Sequence, residues 1–325
     1  MRTRFTDNQQ AGIFTGLVLV LAVAAALVIN ATGLDSNLIA WGAVWSITPT
    51  LATVIMLLVV TREGYFREGW KSLALHRLGF RVWWIAFFGT LLITVVATAA
   101  VWATPLASVT TPPGGVLNSV VNLVIQTLIL ATTFALAEEI GIRGYLLPKL
   151  LPLGRKRALL LTGLVWATWH MPLIYLTVLL PIGNPVIGVP LFYAAVVAGS
   201  FFYGYLRLAS GSLWPSSIAH ATHNSAWGIM VGFTATSSPL LVNGYLLGDF
   251  GIVITVAAAI GAALVSRLVP PGGEEVRRGK DKRSIWNIRR KAGDHSRNRS
   301  LGGDHRASQL EVLDEHDSSV FGRTG

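Results

Sequence analysis

The sequence predicts an all-α fold, a polytopic membrane helix bundle of about eight transmembrane helices. Three observations predict it. Of the 325 residues, 52% are hydrophobic and only 13% charged, where a soluble globular domain carries about 25% charged residues. The apolar residues are gathered into separate runs of the length needed to cross a bilayer, about 20 residues each. The basic residues, which give a net charge of +10, lie in short loops between those runs and in the C-terminal stretch. That placement orients a membrane protein against an anionic leaflet and argues against nucleic acid as a partner. Mean hydropathy is +0.56. With no cysteine in the chain, disulfides and thiolate metal sites are excluded.

The spans follow in order. Met1-Arg2-Thr3-Arg4 precedes an apolar run from Ala11 to Ile29. That run is longer than the 7–15 residues of a signal-peptide core, so it predicts an uncleaved first span. A second span runs from Leu38 to Val60. The segment from Thr61 to Arg81 mixes Arg62, Arg67, Lys71, Arg77 and Arg81 with Tyr65, Phe66 and Trp70, which suits either an interfacial helix or a solvated loop. Trp83 and Trp84 open a third span that ends near Trp102. A charge-free Pro/Gly/Thr loop leads to the fourth, from Val116 to the breakers between Gly144 and Pro148. The fifth covers Ala158 to Leu180, with Pro172 expected to bend it. A turn over Pro181–Pro185 leads to the sixth span, from Val186 to Leu206. The seventh runs from Leu213 to Phe233 and the eighth from Leu246 to Leu268.

Lys and Arg occur in the loops after spans two, four and six and not in those after one, three, five and seven. The positive-inside rule then predicts a multi-pass cell-membrane protein with both termini cytoplasmic. Composition divides the chain into N-terminal helices with an interfacial segment (1–115), a core (116–233), a last span (234–269) and a polar tail (270–325). The tail lacks apolar periodicity and is read as disordered, its basic first half resting on anionic lipid. His295, His305 and His316 fall in it and are read as solvated.

Chemistry is concentrated in three of the spans. Glu138 and Glu139 are adjacent in the fourth, where each charge costs roughly 2.5–3.5 kcal/mol on insertion scales, so such residues face the protein interior and usually act. His170 lies in the fifth span, and His220, His223 and Asn224 in the seventh. Glu138 is 11 residues before Lys149, His170 13 after Arg157 and His220 13 after Arg207. All three therefore sit at similar depth, roughly 16–20 Å from one basic belt at about 1.5 Å per residue. Helical spacing assigns faces within each motif. Glu139 pairs with Arg143 at i,i+4, leaving Glu138 for another neighbour. His220 shares a face with Asn224, and Trp166 shares one with His170. A buried carboxylate beside imidazoles can take a proton from water and pass it to a leaving amine, while an imidazole and an amide can hold an oxyanion. Glu138, His170 and His220 also make up a recognised zinc set. The His-Glu-x-x-His signature is absent, so such a site would be assembled across helices.

Glu138-Glu139-x-x-x-Arg143, an aromatic-x-x-x-His ending at His170, and His220-x-x-x-Asn224 together resemble the CPBP family. These are the CAAX-protease and bacteriocin-processing membrane endopeptidases, related to the eukaryotic enzyme that trims prenylated CAAX proteins. The likeness spans Val116 to Phe233. Trp166 departs from the more usual Phe. The resemblance implies an intramembrane endopeptidase in which Glu138 and His170 activate water. His220 and Asn224 would hold the oxyanion or complete a zinc site, and Glu139 and Arg143 would support them. Zinc and a metal-free glutamate mechanism both stay open. The implied partners are the lipid bilayer and a peptide or membrane-protein substrate, lipidated ones included. Transport through a proton relay is the rival from another class, opposed by the lack of an internal repeat. A non-catalytic scaffold or immunity protein on the same fold is a third, in which the polar groups serve to glue helices together.

Overall fold

A computed structural model describes residues 4–179, 182–248 and 251–269. The expectations for the tail at 270–325, including its histidines, fall outside these residues, as do Leu180 and Pro181. Helix α1 spans Asp7–Thr32. Thr6 and Gln9 cap its start reciprocally, and Gly33 (φ 67) ends it with an N–H bonded to the carbonyl of Ile29. α2 covers Leu38–Ile55 behind an Asn37 cap and runs on through a π-turn to Val60. α3 is Thr90–Trp102. α4 spans Gly115–Thr132 and α5 Phe134–Glu139. α6 is Arg155–Leu176, α7 Pro185–Ser210, α8 Trp214–Gly232 and α9 Ile252–Leu268. α6 continues through Pro172 for another turn.

Among the described residues, six helical runs are long and apolar enough to cross a membrane. The two other predicted spans are α8, whose 19 residues carry the polar site motif, and α9, an apolar helix of 17. The chain is thus a helical membrane bundle and a multi-pass membrane protein. Its main core gathers Phe14 and Ile29 of α1, Trp45 and Met56 of α2, Trp169 of α6 and Leu206 of α7. Much of α4 faces outward, with Leu117, Val120, Leu128 and Ile129 exposed as lipid-facing positions would be.

Contacts at the two ends sort the loops into the predicted sets. Ser108–Val109 pairs antiparallel with Thr234–Ala235, joining the loop after α3 to the one after α8. Trp102 Nε1 donates to Thr234 Oγ1 at 3.1 Å in the same place. The backbone N–H of Asn184, in the loop after α6, donates to the hydroxyl of Tyr245, between α8 and α9, at 2.7 Å. At the basic end, Lys149 lies 3.5 Å from Glu63 and 3.8 Å from Asp7. Trp214 Nε1 donates to the carbonyl of Leu75 at 3.0 Å.

Two stretches differ from expectation. Between Thr61 and Arg81 the α-helix is limited to Arg67–Lys71. Left-handed Arg62, Ala74 and Gly79 break the rest, and a side chain at Gly69 would strike the Glu63 carbonyl. The fourth span is interrupted. Thr133 leaves helical geometry (φ −126, ψ −102), and a π-helical stretch covers Ile140–Leu146. Thr132 and Thr133 turn their hydroxyls back to Leu128 and Ile129 carbonyls at 2.9 and 2.7 Å, the local bonding that competes with helix continuation.

Candidate active site

The interrupted span sets the geometry of the site. The six-residue helix α5 carries Glu138 and Glu139 between the break at Thr133 and the π-stretch, and such π-segments recur at functional sites. At Gly141 a side chain would collide with Pro49, so the glycine is what lets α2 pack directly against this turn.

Glu138 is buried, and both carboxylate oxygens are engaged. Ser46 of α2 donates to Oε1 at 3.1 Å and Trp166 of α6 donates from Nε1 to Oε2 at 3.3 Å. His220 Nε2 of α8 lies 4.0 Å from the same Oε2. Glu139 faces a different way, with its side chain fully buried. Its Oε1 accepts from Arg143 at 2.8 Å and meets His220 Nδ1 at 3.2 Å. A carboxylate can only accept, so Nδ1 of His220 is its protonated nitrogen and Nε2 is aimed at Glu138. Glu139 therefore orients an imidazole as well as neutralising Arg143, a role that the i,i+4 spacing alone does not reveal.

His170 lies one turn from Trp166. Its Nδ1 is 2.8 Å from the Trp166 carbonyl, which fixes the proton there and makes Nε2 the lone-pair nitrogen of the neutral ring. Aromatic rings wall the group. Trp166 stands edge-on to His220 at 5.1 Å, Tyr203 of α7 stacks on His220 at 5.7 Å and 17°, and Phe192 meets His170 at 5.3 Å. The Arg143 guanidinium sits 4.0 Å over the Trp166 ring, a cation–π contact in a dry site.

Glu138, Trp166, His170, His220, His223 and Asn224 all line one cavity of about 930 Å³, ample for a peptide segment. The three motifs are thus brought to one place, with Asn224 at its exposed side. Trp45, Trp227 and Asn243 line the same cavity. The indole N–H of each tryptophan and Oδ1 of Asn243 are buried there without a hydrogen-bond partner. Sequence reasoning missed Ser46, Tyr203 and this trio. A cluster of hydroxyls in the second span (Ser46, Thr48, Thr50) was the available signal for the first.

Among the described residues, no group of three or more His, Asp or Glu side chains is placed to hold a metal ion. Glu138, His170 and His220 do not form one as they stand. Nδ1 of His220 is held by Glu139 and Nδ1 of His170 by its own helix, which leaves Nε2 of each ring as the lone-pair nitrogen, that of His220 4.0 Å from Glu138.

Residues 120–226 match the family described as type II CAAX prenyl endopeptidase Rce1-like. The match agrees with the resemblance to the CPBP family carried by the three motifs. The match includes Glu138, Glu139, Arg143, Trp166, His170, His220 and Asn224, so the matching segment and the polar cluster coincide. α1, α2, α3 and α9 lie outside it. No curated protein matches the chain significantly.

Proposed function

We propose that this protein is a CPBP-type intramembrane endopeptidase, of the CAAX-protease kind, that cleaves by glutamate- and histidine-activated water. The observation carrying the reading is the approach of Glu138 Oε2 and His220 Nε2, 4.0 Å apart, inside a peptide-sized cavity. In the proposed reaction Glu138 takes a proton from water as the water oxygen bonds to the scissile carbonyl carbon. His170, through Nε2, helps hold that water. The oxyanion is stabilised by the Asn224 amide and by His220 when Nε2 carries a proton, with Glu139 holding Nδ1–H. The C–N bond then breaks and the proton on Glu138 passes to the leaving amine. No step is routed through a metal: among the described residues no three His, Asp or Glu side chains are placed to hold one. The cavity's apolar lining, Ile39, Ile129, Leu130 and Phe134 among it, suits a lipidated peptide.

The test is direct. Purified protein in liposomes should cleave a farnesylated CAAX peptide, with product masses locating the bond, and a strong chelator should leave the rate unchanged. Loss of activity restored by added zinc would place a metal in the mechanism instead. Uncoupled ion flux without cleavage would favour transport.

The proposed orientation has both termini in the cytoplasm and the site reached from that side. Reporter fusions at Gly115, Gly183 and Thr236 should report the outside, and fusions at Gly154 and Gly272 the cytoplasm. One fusion on the opposite side breaks the shared-depth arrangement of the three motifs.

A further inference from the structure

We infer that Ser46 is a positioning residue for the reaction, fixing the Glu138 carboxylate from a helix outside the family-matching segment. Ser46 precedes Glu138 by 92 residues and is 4% exposed. A hydroxyl inside a membrane helix ordinarily bonds back to its own carbonyls. Thr53 of the same helix does so with Pro49 at 2.9 Å. Ser46 instead donates a hydrogen bond to Glu138 Oε1 at 3.1 Å. Trp166 grips Oε2, so the two donors together set the plane of the carboxylate and keep Oε2 turned toward His220. A general base must present its lone pair within hydrogen-bond reach of the water it deprotonates. A carboxylate free to rotate would spend much of its time aimed elsewhere.

The supporting contacts show why α2 can carry this role. Thr50 donates to the Ala137 carbonyl at 2.6 Å, one residue before Glu138. Trp169 Nε1 donates to Thr48 Oγ1 at 3.0 Å, tying the helix to the neighbour of His170. Pro49 packs on Gly141 so closely that no side chain fits there. The turn Trp45–Thr50 is thereby locked to two of the three motifs, and Ser46 is the member that reaches the base itself.

This assignment rests on the protease reading, and the experiment separates the two. Wild type, Ser46→Ala, Ser46→Thr and Ser46→Val are compared in liposomes on the farnesylated CAAX peptide. Ser46→Ala should lose about 10-fold or more in kcat, the scale of a hydrogen bond to a charged group, with KM changed by less than about 2-fold. Thr keeps the hydroxyl and should restore most of kcat, while Val, of the same shape, should not. Alongside, the infrared difference between each protein and its Glu138→Gln version isolates the Glu138 carboxyl band. That band should shift in Ser46→Ala and Ser46→Val and return in Ser46→Thr. Wild-type kcat in Ala and Val, equal losses in folded Thr and Val, or an unmoved band would each overturn the assignment. If wild type cleaves no peptide, the protease reading fails by itself, and the band alone then decides whether Ser46 holds Glu138.

Discussion

Glu138→Gln is expected to lower peptide cleavage by at least about 100-fold, the usual scale for losing a general base, while the protein stays folded. The second half follows from the local bonding. A glutamine amide of the same shape can turn its oxygen to the Trp166 indole N–H. Its NH₂ then faces Ser46, whose hydroxyl rotates to accept. Both contacts of the carboxylate, at 3.3 and 3.1 Å, therefore have neutral replacements, and the charge buried beside Glu139 is removed. What glutamine cannot do is accept a proton from water. His170→Ala and His220→Ala should be similarly inactive. Cleavage is measured in detergent and in liposomes, with a melting curve on each sample. Full cleavage by a folded Glu138→Gln protein sinks the protease reading and moves transport or a scaffold role ahead.

Much of this site was legible because helical spacing and membrane depth are linear in sequence. Counting from the basic residues set Glu138, His170 and His220 at one level, and the three line one cavity. The i,i+4 rule paired Glu139 with Arg143, and the pair is there at 2.8 Å. The illegible parts are those decided between helices. The second bond of Glu139, to His220 at 3.2 Å, crosses from α5 to α8, and no local spacing encodes it. Ser46 was hidden for a related reason. Thr90, Thr94 and Thr98 are also hydroxyls within a span, and all three bond back to their own helix. A serine that reaches another helix has the same sequence signature. The break at Thr133 arises from competition between side-chain and backbone bonds, and a continuous apolar run does not announce its outcome. Between Thr61 and Arg81 the basic and aromatic content suited a helix and a loop alike. Close backbone approach at Gly69 and left-handed turns decided for loop.

Glu139→Gln should act through stability as much as through chemistry. The Glu139 and Arg143 side chains are both fully buried, and their pair at 2.8 Å shares its oxygen with His220. Removing the carboxylate leaves the guanidinium without its counter-charge, a loss of about 3–5 kcal/mol in buried pairs. The contact with the Trp166 ring at 4.0 Å offsets only part of it, since cation–π attraction reaches about 2 kcal/mol when desolvated. The variant should therefore melt well below wild type and accumulate poorly. Adding Arg143→Met removes the unpaired charge and fills a similar volume, so the double variant should regain most of the lost stability. Cleavage should not return with it. His220 would still lack the carboxylate that holds its Nδ1–H and turns Nε2 toward Glu138, and carboxylate partners of this kind set both tautomer and ring orientation. A double variant as unstable as the single one would mean that position 139 matters for packing rather than charge. A double variant that recovers stability and cleavage together would mean that His220 needs no orienting partner, and the catalytic role given to Glu139 would fall while its structural role stood.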